Sequence, residues 1–161
     1  MAKVGEGWRL TNTSNPHNQF KQSIGELYMY SGSTALSIPS GVKTQLTNLM
    51  KGSQWGVISV DETNSKFIIN KHGRYFANLS VSFSGDGGVT WNGGFEVNGV
   101  IQENLQIRRK LGASGDVGAA SISGILELNS GDEVDIEFEH NAGVNKDITV
   151  VDCNATLVKI W

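Results

Sequence analysis

The feature that most restricts what this chain can fold into is a strict two-residue alternation in Tyr75-Phe76-Ala77-Asn78-Leu79-Ser80-Val81-Ser82-Phe83. Side chains of a β-strand point alternately to opposite sides, so Tyr75, Ala77, Leu79, Val81 and Phe83 fall on one core-facing side. Asn78, Ser80 and Ser82 fall on the other, and Gly73 and Ser84-Gly85-Asp86-Gly87-Gly88 supply turns at the two ends. The same texture recurs. Val134, Ile136, Phe138 and His140 alternate with Glu133, Asp135, Glu137 and Glu139 after the turn Asn129-Ser130-Gly131-Asp132, and a strand over Ala120–Leu128 precedes that turn. Phe95-Glu96-Val97 and Val100-Ile101-Gln102 flank Asn98-Gly99, a pair that tolerates positive φ and so suits a two-residue hairpin. Many short strands between Gly, Asn, Asp and Ser clusters, with no helix-period stretch of similar quality, predict an all-β sandwich or barrel over residues 25–161.

The two terminal strands differ from the rest. In Ile148 to Trp161, strict alternation puts Val151, Cys153, Ala155 and Leu157 on one face and Val150, Val158 and Ile160 on the other. In Glu26-Leu27-Tyr28-Met29-Tyr30, Leu27 and Met29 oppose Tyr28 and Tyr30. A sandwich strand buries one face in its own core, so apolar residues on the second face call for another cover. A second copy of the chain is the simplest one, and Leu27, Tyr28, Met29, Tyr30, Phe76, Val150, Val158 and Ile160 are its candidate contacts.

Residues 1–24 are polar, rich in Asn, Thr and Ser, and read as an extended N-terminal arm serving as an attachment segment. They contain no apolar run of the secretory kind, so the chain is expected to fold where it is made, in the cytoplasm of its host cell. With 13 Lys and Arg against 16 Asp and Glu, the net charge of −3 argues against nucleic acid as a partner, and no apolar run suits membrane insertion.

Three further segments carry a family resemblance: Lys66-Phe67-Ile68-Ile69-Asn70, Gly73-Arg74-Tyr75-Phe76, and Ile125-Leu126-Glu127-Leu128-Asn129-Ser130-Gly131-Asp132-Glu133-Val134. Over residues 26–161 the chain resembles the jelly roll of the tumour necrosis factor and complement globular-head superfamily. The resemblance implies two antiparallel Greek-key sheets and a homotrimer with the first and last strands in its inner sheet. No collagen repeat precedes the domain, and the end Thr156-Leu157-Val158-Lys159-Ile160-Trp161 lacks the Gly-aromatic-Leu close of many relatives, so cytokine signalling is not carried over. Domains of this layout resemble bacteriophage virion proteins. That likeness implies a non-enzymatic trimeric protein of the virion, a capsid-decorating or cement protein or a head fibre, bound to capsid or tail proteins through its arm. The alternative is a receptor- or glycan-binding fibre tip.

Catalytic signatures are missing: there is no Gly-x-Ser-x-Gly elbow, phosphate loop or dinucleotide fingerprint. His17, His72 and His140 lie in separate segments, and Cys153 is the single cysteine, so no metal, cofactor or catalytic residue is expected. The acidic row Glu133, Asp135, Glu137 and Glu139 reads as a solvated strand face balanced by a neighbouring strand carrying Arg108, Arg109 and Lys110, rather than as a calcium site. Trp91, set among glycines, reads equally as a sugar-stacking platform or a core cap, with Arg108 and Arg109 as further ligand contacts on a host glycan.

Overall fold

The computed structural model describes residues 22–161. The expected 1–24 arm therefore lies almost wholly outside the described residues. Among the described residues there is no helix, and hence none long and apolar enough to cross a membrane.

Twelve strands form two antiparallel sheets: β1 Ile24–Met29, β2 Leu36–Ile38, β3 Thr44–Gln45, β4 Met50–Trp55, β5 Ile58–Asp61, β6 Lys66–Ile69, β7 Gly73–Gly85, β8 Thr90–Val97, β9 Val100–Lys110, β10 Gly118–Leu128, β11 Glu133–His140 and β12 Lys146–Lys159. The first sheet runs β10-β7-β12-β1-β4, with β2 beside β12; the second runs β5-β6-β11-β8-β9, with β3 beside β11. From β7 onward the chain passes back and forth between the sheets, which is the winding of a jelly roll.

The core follows the alternation. Tyr75, Ala77, Leu79, Val81 and Phe83 of β7 are buried, as are Val134, Ile136, Phe138 and His140 of β11. Phe83 and Phe138 meet edge to face across the two sheets, with ring centroids 5.5 Å apart. The expected hairpin joins β8 to β9, with Asn98 at φ 50° and Gly99 at φ 82°.

Two positions depart from simple alternation. β12 carries a bulge: Val150 pairs with Phe83 and Asp152 with Ser82, leaving Val151 as the extra residue. One inserted residue reverses the parity beyond it, so Val150 points into the core together with Cys153, Ala155 and Leu157. On β8, Gly93 and Gly94 lie within the strand. A Cβ on Gly93 would lie 2.7 Å from the Phe138 ring, and one on Gly94 would lie 2.3 Å from the Leu105 carbonyl oxygen. Only glycine admits so close a neighbour there.

Candidate functional site

The outward side of the β10-β7-β12-β1-β4 sheet carries a continuous apolar row. Strand register places Ile125 of β10 beside Phe76 of β7, Phe76 beside Val158 of β12, Val158 beside Ile24 of β1, and Ile24 beside Trp55 of β4. Five strands thus each contribute one apolar residue at the same level. Phe76 is 39% exposed, Ile125 46% and Trp55 50%. A monomer gains nothing by lining up such residues on its surface, whereas a second copy packed on the row removes them from water.

Next to the row the face turns polar. The Glu26 carboxylate accepts hydrogen bonds from the Ser53 backbone N–H at 3.0 Å and from Asn154 Nδ2 at 2.7 Å, and the Thr156 hydroxyl donates to Asn154 Oδ1 at 2.9 Å. The Ser53 N–H, aided by Asn154, holds the Glu26 carboxyl below the ordinary carboxylate range. Further along lies a shallow concavity with Tyr28 and Tyr30 beside the small side chains of Ser80, Ser82 and Ala119.

Of the candidate contacts, the structure brings Phe76 and Val158 together as direct neighbours. Tyr28 and Tyr30 line the concavity on the same sheet, and Ile160, just past β12, is 42% exposed. Leu27 and Val150 require correction. Leu27 is fully buried in the chain's own core and Val150 nearly so, because of the bulge, whereas half-buried Met29 packs against that core and also lines the concavity beside Tyr28 and Tyr30. Ile24, Trp55 and Ile125 are members of the row that sequence reasoning passed over, since lateral register is set by pairing between distant segments.

The ligand constellation around Trp91 does not form. Trp91 is fully buried, its ring 4.9 Å from that of His140, so it is a core residue and not a platform. His140 Nε2 donates to the Ile38 carbonyl at 2.8 Å, and its Nδ1 accepts the Ala142 N–H, 3.1 Å away. Arg108 and Arg109 lie in β9 and alternate: Arg108 Nε donates to Asn92 Oδ1 at 2.9 Å on the outer face, while Arg109 lies against Gly118. Burial pushes the Cys153 thiol up to about 12, which leaves it an inert core group.

The acidic strand is also not the evenly solvated face expected. It lies between β8 on one side and β6 and β3 on the other, not beside β9, so Arg108 reaches only the outermost row, through Asn92 to Glu139 at 3.5 Å. Lys66 is committed to Glu133, with N···O 2.6 Å. Between these two balanced rows stand Asp135, opposite Glu96, and Glu137, opposite Gly94. Desolvation, then the Glu96 charge, raises the Asp135 carboxyl from an ordinary 3.8 to about 6. Desolvation, then a proton shared with Glu96, raises Glu137 from 4.5 to about 8. The opposing influences are Lys66 on Asp135 and Lys43 on Glu137.

Both carboxyls hold protons more tightly in the folded chain than in the unfolded one, so folding stability falls as pH rises between about 4 and 8. Glu26, held low, works the other way and loses its contribution on further acidification. In metal-free buffer the melting temperature is therefore expected to rise as the pH is lowered from 8 to about 5, and Glu137→Gln should remove most of that rise. A flat wild-type profile would contradict the burial assigned to these groups.

No family model matches the sequence, and neither does any curated protein. Solved structures do match. Eiger TNF from S. frugiperda superposes with a TM-score of 0.60 at 13% identity, covering 86% of this chain and 94% of its own. Murine APRIL at pH 5.0 gives 0.58 at 16% identity over 87% of this chain and all of its own. The globular domain of zebrafish complement 1qA gives 0.58 at 16% identity over 86% and 98%. At such identities the likeness carries the fold alone: the chain is a jelly roll similar to tumour necrosis factor and complement globular domains.

Proposed function

We propose that this chain is a non-enzymatic structural module that assembles as a homotrimer through the outward side of its β10-β7-β12-β1-β4 sheet. The observation that carries the reading is the apolar row Ile125, Phe76, Val158, Ile24 and Trp55, which crosses every strand of that sheet path. A threefold arrangement is what the jelly-roll resemblance implies, and it lets each copy cover part of its neighbour's row.

Within that reading the trimer decorates a virus particle, as a capsid-decorating, cement or head-fibre protein of a bacteriophage located at the virion surface. What supports this finer assignment is layout: a jelly roll of fewer than 140 residues led by a polar segment. The fibre-tip alternative has lost its aromatic platform, since Trp91 lies in the core.

Deleting residues 2–22 tests the attachment role. Ser23 stays, because its carbonyl accepts the Lys159 N–H at 2.9 Å and its hydroxyl accepts the Val57 N–H at 3.0 Å. The truncated protein should keep its oligomeric mass and cease to co-sediment with virions. Undiminished co-sedimentation would count against attachment through this segment.

A further inference from the structure

Glu96, Asp135 and Glu137 offer one carboxylate oxygen each, all within 4.8 Å of one another, on the outer face of the second sheet. Acidic clusters are common on protein surfaces, and closeness alone assigns no role. What sets this one apart is burial of a carboxyl with no donor from outside the cluster. Glu96 is only 7% exposed, yet among the described residues it receives no N–H donor and no cation; its one hydrogen bond is the proton shared with Glu137, and the Asp135 carboxyl lies beside it. Asp135 Oδ1 and Glu137 Oε2 are buried acceptors with no hydrogen-bond partner. Buried acceptors cost free energy when left unpaired, and these two orphaned oxygens beside the buried Glu96 carboxyl call for a positive species between the three groups.

Geometry says what that species is. Oxygens around a calcium ion lie about 2.3–2.6 Å from it, so two of its ligands can be at most about 5 Å apart. The cluster fits within that span. All donors are hard carboxylate oxygens, with no imidazole or thiolate among them, which disfavours zinc and copper. The backbone leaves room, since Gly94, opposite Glu137, places no side chain over the cluster, while Ile101, opposite Glu96, provides an apolar flank. The nearby lysines do not fill the place: Lys66 is bound to Glu133, and Lys43 is exposed.

We propose that Glu96, Asp135 and Glu137 form a site for a hard divalent cation of the calcium class, joining β8 to β11. The bound ion would tie the two strands together on the sheet opposite the proposed subunit interface. This inference is independent of the trimer, and either can fail without the other.

The test uses the full chain, stripped with a chelator, and calcium chloride as the probe. Titration calorimetry should find about one calcium per chain, and calcium at about a hundredfold over its Kd should raise the melting temperature by roughly 5 °C or more. Asp135→Asn and Glu137→Gln should each weaken binding by about tenfold or more, while remaining at least as stable as the stripped wild type because they relieve carboxylate crowding. Magnesium provides the comparison and should bind more weakly, because a smaller ion demands tighter octahedral geometry. No calcium binding by the stripped wild type would overturn the proposal. So would binding unchanged in both variants, which would place the ion elsewhere.

Discussion

Trp91→Ala is expected to lower the stability of the folded chain by about 3–5 kcal/mol, a fall in melting temperature of roughly 10 °C. The indole is fully buried where β8 faces the end of β11, against the ring of His140. Truncation would leave a cavity the size of a bicyclic ring beside a histidine whose two nitrogens are both committed to backbone groups. The surrounding structure can relax little, because Gly93 and Gly94 on the same strand already sit in close contact with Phe138 and the Leu105 carbonyl. Trp91→Phe should cost less, since it restores part of the volume. A melting temperature unchanged in Trp91→Ala would mean that the ring is at the surface, as the platform reading required.

Phe76→Asp is expected to act the other way round, leaving the fold intact and breaking the assembly. Phe76 stands second in the five-residue apolar row, with Ile125 on one side and Val158 on the other, and it points away from the core. A carboxylate there would be buried without a partner in every copy of a symmetric contact. The expected loss is about 2 kcal/mol or more per contact, as for an anchor at the centre of an interface. Size-exclusion chromatography should show the monomer, and circular dichroism the native strand content. A variant that keeps the wild-type mass would move the interface away from this row.

Much of the fold could be read from the chain because the strands that build the core are regular. β7 and β11 alternate without a break, so counting by two identified every buried residue in Tyr75–Phe83 and in Val134–His140. Asn98-Gly99 announced its hairpin through local backbone preference alone. The failures share one cause, which is dependence on a distant partner. The bulge at Val151 exists because β12 must pair with β7 on one side, and no local pattern reveals it; Val150 was consequently assigned to the wrong face. The glycines around Trp91 gave it the look of a sugar platform, although Gly93 and Gly94 are there to let Phe138 and the Leu105 carbonyl come close.

The same holds for the two candidate sites. Phe76 and Val158 were recognisable as apolar residues on a polar-facing side, but Ile24, Trp55 and Ile125 join them only through strand register. The acidic alternation of β11 was plain in sequence, whereas its crowding was not. It arises because Glu96 faces Asp135 across the ladder and Arg108 sits two rows away, beside Asn92. Charge balance on a sheet is settled row by row, and a strand's composition does not record which rows its neighbours fill.

The most direct test of the account is the mass of the unmodified chain in solution, measured by multi-angle light scattering at physiological ionic strength. The account predicts three times the 17.4 kDa of the chain, maintained on dilution to the lowest concentration at which scattering can be read. A monomer throughout the concentration range would contradict it, because the apolar row across the five-stranded path would then have no second copy to cover it.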